Sequence, residues 1–316
     1  MTDITYKDNY FDIDEINSAI LNDSNSFIKN CELRYDNLVN TTALKIHQKH
    51  ENSKIVMLCG PSGAGKTTTA YKLKKRLDEL GVLAKVVSID NFFLGRGIAP
   101  KLPDGSYDYE SIEALDTKKL IECINQILKN GKTELPVFDF VSGTRSNKTD
   151  KIIIGKDDIV IFEGIHAMNS ILFTDLPQNN LIKIYVDVAG KVFENGNPVF
   201  SSRDIRFMRR MLRDYKFRAS SPQNTISMWK QVIRGEDIYI NPFIKDADFI
   251  EDTFHAFEPS LYCSCLVNLF RQVDEKNSYY DYVLSLQNKL KHFNMLNISQ
   301  IPKTSLIREF SGGGKY

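Results

Sequence analysis

The chain has 316 residues, enough to bury a sizeable core in one large domain with appendages. Its 41 basic and 40 acidic residues leave a net charge of +1, which excludes a global attraction to nucleic acid or an anionic membrane, so any basic function must come from a local cluster. No run approaches the roughly 18 apolar residues that span a bilayer, and the polar, acidic start "MTDITYKDNYFDIDE" has no signal-peptide core, so a cytoplasmic protein with no membrane or nucleic-acid partner is expected.

Residues 1–50 read as an N-terminal helical extension, with Ile13, Ile16, Ile20 and Leu21 at helical spacing. "HQKHENSK" interrupts that pattern before the sharp apolar run "KIVMLCG". Candidate strands then follow at 54–59, 84–89, 134–139, 158–163 and 181–187, each short, apolar and rich in Val and Ile. Helices are expected at 66–80, closed by Gly81, and at 116–129, started by Asp116 and closed before Gly131. Apolar strands separated by helices predict an α/β fold, a doubly wound parallel sheet of about five strands. Residues 200–235 form a basic helical segment and 276–293 a further helix, and the tail "FSGGGKY" is expected to be flexible. The expected division is therefore an extension at 1–50, a core at 51–255 and a C-terminal helical extension with tail at 256–316. Cys59, inside a strand, and Cys123, on an apolar helix face, read as reduced packing thiols, and Cys263-x-Cys265 lacks the second pair that a zinc site needs.

The stretch "GPSGAGKT" at 60–67 matches G-x-x-x-x-G-K-[ST] between an apolar strand and an amphipathic helix. Glycines let backbone N–H groups turn inward around phosphates, and the helix N-terminus adds a favourable dipole. Lys66 would reach the terminal phosphates, and the Thr67 hydroxyl can ligand Mg²⁺. A chance match in a chain of this length is on the order of one per cent, and the strand–loop–helix context lowers it further.

Two acids stand at strand ends: Asp90 in "VVSIDNFF" and Glu163 in "DIVIFEG". In a doubly wound sheet the carboxyl ends of the strands face the ligand crevice, so both point toward the phosphate loop. Glu163 fits a carboxylate that orders Mg²⁺ or its waters. Asp90 could accept a proton from an attacking hydroxyl while also holding the metal's water shell. The bland alternative for either acid is a carboxylate capping a neighbouring loop.

"SSRDIRFMRRMLRDYKFR" carries Arg203, Arg206, Arg210 and Arg213 at steps of three and four, with Arg209, Lys216 and Arg218 nearby. Such a face can close over nucleotide phosphates and neutralise charge on a transferring phosphoryl group. A solvated surface helix is the competing reading. An RNA-binding stripe has no support, since RNP-like aromatics and glycine–arginine repeats are absent.

Taken in order, "GPSGAGKTT", "SIDNFF", "YDYESIEALD", "PVFDFVSGTR", "DIVIFEG" and "RRMLRD" resemble the uridine kinase and phosphoribulokinase family of P-loop kinases, nearest the uridine kinases, over residues 52–255. The resemblance implies a P-loop NTPase-type core with a helical lid at about 200–235, and ATP- or GTP-dependent phosphorylation of a hydroxyl on a small molecule. Carried over by position, Gly60, Pro61, Ser62, Gly63, Ala64, Gly65, Lys66, Thr67 and Thr68 bind the nucleotide. Asp90 becomes the base, Thr67, Asp90 and Glu163 the Mg²⁺ set, and Arg210 and Arg213 lid arginines that act with Lys66 in catalysis. Glu110 stands where uridine kinases place an aspartate that binds ribose hydroxyls. The acceptor wall falls to Asp90, Phe93, Glu110, Phe138, Phe140, Arg145, His166 and Arg210. The resemblance also allows a homo-oligomer without fixing the number of subunits.

The departures cluster on the acceptor side. Phe93 replaces a tyrosine, and in "FDFVSGTR" Phe138 and Gly143 replace the tyrosine and histidine expected to touch a pyrimidine. Ser220 and Met228 fall where the family has a lid arginine and a glutamine. Three readings are open: a nucleoside kinase acting on the 5′-hydroxyl of uridine or cytidine; the same chemistry on a sugar phosphate, a pantothenate-like alcohol or a polyol; and a nucleotide-binding regulator without transfer activity. His166 lies near the crevice and can touch substrate or pack a loop, whereas His47, His50, His255 and His292 lack partners at metal spacing and read as surface or packing residues.

Overall fold

The computed structural model describes residues 9–51, 53–95, 97–139, 142–174, 176 and 180–315. Strand β1 (Tyr10–Asp12) leads into the long helix α1 (Ile13–Lys49), capped by the Asp12 carboxylate accepting from the Asp14 N–H at 2.8 Å. The helix breaks at Asp23, which leaves helical geometry and recaps the next turn by accepting from the Ser26 N–H. Beyond the break, buried Ile28, Cys31, Tyr35, Val39, Ala43 and Ile46 recur at steps of three and four. That stripe lays α1 against the rest of the fold.

The chain continues through β2 (Ile55–Cys59), α2 (Lys66–Glu79), β3 (Ala84–Ser88), α3 (Thr117–Asn130), β4 (Lys132–Asp139), β5 (Thr144–Ile153), β6 (Ile159–Glu163), β7 (Leu181–Asp187), β8 (Lys191–Glu194) and β9 (Asn197–Pro198). After them come α4 (Ser202–Phe217), α5 (Pro222–Tyr239), β10 (Phe249–Asp252), α6 (Glu258–Cys265), α7 (Val267–Phe270), α8 (Tyr280–Leu290) and α9 (Arg308–Ser311). Five strands pair in parallel in the order β10-β7-β2-β6-β3. Side chains alternate across this sheet, as strand geometry demands. Val56 and Leu58 join one core with α1, α2 and α4, while Ile55, Met57 and Cys59 join a second core with α3. The two-sided α/β architecture expected from the sequence is present.

Two expectations are corrected, and one, the helical basic segment, is refined. The segment 134–139 is not a strand of the parallel sheet: β4 and β5 form a separate antiparallel hairpin. Pro136 lies inside β4 and cannot donate to a ladder, and the register shifts between Pro136 and Phe138, features that a central strand does not tolerate. The fifth sheet strand is instead β10, four residues of which two are acids, too short and polar to announce itself as a buried strand. Second, the basic segment is two helices, with Ser201 closing a capping box on α4 and Ser221 capping α5 before Pro222. Third, the tail does not float. Phe310 and Ser311 are buried, the Lys315 N–H donates to the Lys303 carbonyl at 2.9 Å, and Arg308 donates to the carbonyls of Ile298, Ile301 and Gly312. The remaining tail residue, Tyr316, lies outside the described residues.

Glu251 on β10 is 1% exposed, and burial pushes its carboxyl from 4.5 to about 7. The folded state therefore holds a proton there that the unfolded chain has lost. Its stabilising contribution is complete below about pH 4.5 and disappears as pH rises through about 7. That interval corresponds to roughly 3 kcal/mol at about 1.4 kcal/mol per pH unit. Glu251→Gln is expected to flatten the fall in melting temperature between pH 5 and pH 8; thermal denaturation with an unchanged slope would rule the assignment out.

Candidate active site

The site begins where β2 ends. The peptide must double back against β7: a Cβ at Gly60 would lie 2.3 Å from the Val186 carbonyl oxygen. Gly63 takes φ +80° with the Arg206 backbone at its flank, and Gly65 takes φ +89° as the residue before α2. Lys66 folds back to donate to the Pro61 carbonyl at 3.1 Å. Of the three threonines opening α2, Thr67 is exposed, whereas Thr68 and Thr69 are buried. An anion approaching this helix N-terminus therefore meets Lys66 and the Thr67 hydroxyl first.

Helix α4 holds the loop from the other side. Arg206 Nη1 donates to the Ser62 carbonyl at 3.3 Å, Arg209 Nη1 to the carbonyls of Gly63 and Ala64 at 3.1 and 3.4 Å, and Arg210 Nη1 to Ser62 Oγ at 2.9 Å. Carbonyls turned toward α4 point the following N–H groups the opposite way, because the trans peptide is planar. Of those N–H groups, that of Ala64 closes a turn onto the Pro61 carbonyl at 3.2 Å. Arg209 is fully buried, and Glu258 accepts from its Nε at 2.8 Å and its Nη2 at 2.6 Å.

The four arginines at helical spacing thus do not share one phosphate-facing stripe. Arg203 pairs with Glu236 and Asp237, and Arg206 with Glu236 and the loop. Arg210 and Arg213 remain beside the crevice, both in ion pairs with buried Asp214. Apolar Phe207, Met208, Met211 and Leu212 interleave with the arginines and draw α4 into the core.

The strand register brings the acids to the loop. Glu163, the last residue of β6, stands opposite Leu58 of β2 on one side and Ser88 of β3 on the other. The phosphate loop starts two residues past Leu58, and Asp90 lies two residues past Ser88. Burial, the negative charge of Asp90 and that of Glu309 raise the Glu163 carboxyl to about 7, with Lys66 and Ser88 acting against them. Burial also raises Asp90, opposed by Lys66, Arg218 and Arg213. Two acids raised by desolvation, one of them also by the charge of the other, are a setting that a divalent cation relieves. With the Thr67 hydroxyl they make a hard-oxygen donor set of the kind Mg²⁺ takes. Among the described residues no group of three or more His, Cys, Asp or Glu gathers as a complete cage.

On the acceptor side, Glu110 is raised to about 7 by burial, with Arg210 and Lys66 opposing and Asp90 reinforcing, so it joins the same cluster. Helix α5 approaches it so closely that a Cβ at Gly235 would lie 2.4 Å from the Glu110 Cβ. Phe93 and Phe138 pack at 5.8 Å between ring centroids. Phe140 lies outside the described residues. Arg145 does not reach into the crevice: it pairs with Asp116 at 3.0 Å and donates to the Phe92 carbonyl at 3.3 Å, bracing the hairpin against α3. His166 is buried edge-on to Tyr239 at 5.7 Å, and burial lowers its imidazole to about 4, so it is neutral near pH 7. It packs a loop.

Sequence reading named Arg209 and Arg218 only as charge near the arginine stretch and missed Gly235 and Glu309. The first three lie in or beside the basic segment and carry no local sign of their partners. Glu309 lies near the C-terminus, yet its Oε2 accepts from the Thr68 N–H at 3.1 Å and from Thr68 Oγ1 at 2.7 Å. Its partner is 241 positions away, and no spacing rule reaches that far.

Comparison with known proteins places this geometry. The profile described as "Phosphoribulokinase / Uridine kinase family" matches residues 55–256. A protein named uridine kinase from Lactobacillus helveticus (strain DPC 4571) is 31% identical over 204 residues, 64% of this chain and 87% of that protein. One of the same name from Staphylococcus aureus (strain JH9) is 32% identical over 198 residues, 62% of this chain and 86% of that protein. A solved structure named as a candidate fructose transport system kinase from Silicibacter sp. TM1040 superposes with a TM-score of 0.50 at 15% identity, covering 67% of this chain and 98% of that one, a likeness of fold alone.

Proposed function

The chain belongs to the phosphoribulokinase/uridine kinase family of P-loop kinases, and from that premise we propose that it transfers the γ-phosphoryl group of ATP or GTP to the 5′-hydroxyl of a nucleoside such as uridine or cytidine. It is a phosphotransferase with an alcohol group as acceptor. The nucleoside reading is carried by the gathering of Lys66, Asp90, Glu110, Glu163 and Arg210 into one electrostatic cluster at the ends of β2, β3 and β6, in a chain whose relatives are named uridine kinases.

In this reading Lys66 and the first turn of α2 bind the terminal phosphates. Bound Mg²⁺, held by Thr67 with Glu163 and Asp90, would neutralise phosphate charge and align the oxygens. Asp90 accepts the proton of the attacking hydroxyl. In a loose phosphoryl-transfer transition state that proton moves late, so the position of the carboxylate matters more than its basicity. Arg210 and Arg213 supply positive charge where the phosphoryl group moves. Glu110 hydrogen-bonds hydroxyls of the acceptor.

A second reading keeps the chemistry and changes the acceptor to a sugar phosphate, a pantothenate-like alcohol or a polyol. It is favoured by the wall itself, where Phe93 lies against Phe138 and Arg145 is engaged by Asp116. A site without groups that hydrogen-bond a pyrimidine loses the large discrimination such groups provide.

Mass spectrometry of the purified protein with Mg²⁺-ATP and a panel of nucleosides, sugar phosphates and polyols separates these readings. A nucleoside 5′-monophosphate is the expected product. A phosphorylated sugar or polyol instead selects the second reading, and nucleotide binding with no product leaves only a regulatory role.

A further inference from the structure

The end of the chain returns to the phosphate loop. Leu306 is fully buried, and a Cβ placed on Gly65 would meet its side chain at 2.7 Å, so the strap at 305–311 packs directly on the residue that opens α2. Three residues on, Glu309 takes both hydrogens that Thr68 offers, at 3.1 and 2.7 Å. Phe310 then lies under the Arg209 guanidinium, 5.1 Å from ring centroid to Cζ. Lys216 of α4 donates to the Ser311 carbonyl at 2.6 Å. These contacts come from residues beyond the 55–256 stretch that matches the family profile.

The Thr68 N–H belongs to the first turn of α2, where no carbonyl of the helix can accept it. A carboxylate there satisfies the orphan donor and is favoured by the helix dipole. Thr68 is 2% exposed, whereas Thr67 is open, so Glu309 works on the sealed side of the helix end and leaves the open side free.

Resting on the kinase reading above, we infer that Glu309 is a positioning residue for the donor nucleotide: the strap pins Thr68 and Gly65, and thereby sets the orientation of the N–H groups and the Thr67 hydroxyl presented to phosphate. The C-terminal segment is then a working part of the phosphate site.

Titration calorimetry with Mg²⁺-ATP on the full chain tests this, with steady-state kinetics and melting temperature alongside. Glu309→Ala removes both hydrogen bonds to Thr68 and is expected to weaken Mg²⁺-ATP at least about tenfold, while the KM for the acceptor stays within about twofold. Glu309→Gln keeps an oxygen for the Thr68 N–H and is expected to recover most of that affinity. Nucleotide affinity unchanged in Glu309→Ala with a lowered melting temperature would make the residue merely structural and overturn the inference. Tighter nucleotide binding would overturn it too, by making Glu309 a competitor for the phosphate. Should Glu309→Ala fail to fold, Glu309→Asp shortens the reach to Thr68 without touching the phosphate loop: about threefold weaker binding supports the inference, and unchanged binding refutes it. Wild-type protein that binds no nucleotide sinks the kinase reading itself, so the two failures are distinct.

Discussion

Asp90→Asn is expected to lower kcat by about 10²- to 10⁴-fold, the usual contribution of a positioned general base. The amide keeps the size of the side chain but cannot take the proton of the attacking hydroxyl. It also removes a negative charge that helps to hold Glu163 at about 7, so the Glu163 carboxyl should titrate lower in the variant. The two effects have separate readouts: single-turnover phosphoryl transfer for the base, and a pH titration of the nucleotide-free protein for the neighbour. Turnover within a few-fold of wild type would end the assignment of Asp90 as base.

The largest expected effect on stability lies behind the phosphate loop. Arg209→Met should cost about 3–5 kcal/mol, because it strands a charge whose partner has been removed. Glu258 is fully buried and would lose Arg209 Nε and Nη2, keeping the Tyr262 hydroxyl and the His255 N–H. The carbonyls of Gly63 and Ala64 would lose their Arg209 hydrogen bonds in the same step. Replacing both partners, as in Arg209→Met with Glu258→Leu, should cost less than the single change, since no buried charge is left over. Urea denaturation of the single and double variants checks the sign of that difference. A single variant as stable as wild type would show that the pair does not clamp the loop.

Part of this site was legible from the sequence for a plain reason. The phosphate loop is a contiguous object, in which eight residues carry the turn, the donors and the lysine, so their spacing encodes their geometry. Asp90 and Glu163 were legible one step less directly. Each ends or closely trails an apolar strand, and the topology of a parallel sheet sends every strand end to the same side. The register then set Glu163 between β2 and β3, a relation that hydrophobic pattern alone does not specify.

The arginine segment shows the limit. Helical spacing put Arg203, Arg206, Arg210 and Arg213 near one another, yet the acids that meet them lie on α5 and within α4 itself. Arg145 was placed in the acceptor wall by its position after the strand end, and Asp116 on the neighbouring loop drew it away. Arg203, Arg206 and Arg145 went to charges distant in sequence, whereas Arg210 and Arg213 stayed with Asp214 on their own helix.

By itself the sequence determined what depends on neighbouring residues: the phosphate loop with its glycines, the helix α2 it opens, the apolar strands and the two acids at their tips. Only the tertiary structure decided the rest: that β10 and not the 134–139 segment completes the sheet, that Arg209 reaches the Gly63 carbonyl across 146 positions, and that Glu309 reaches Thr68 across 241. The physical reason is one of range. Backbone conformation is set largely by sterics and hydrogen bonds within a few residues, whereas the partner of a buried charge is whichever group the folded topology brings within about 3 Å.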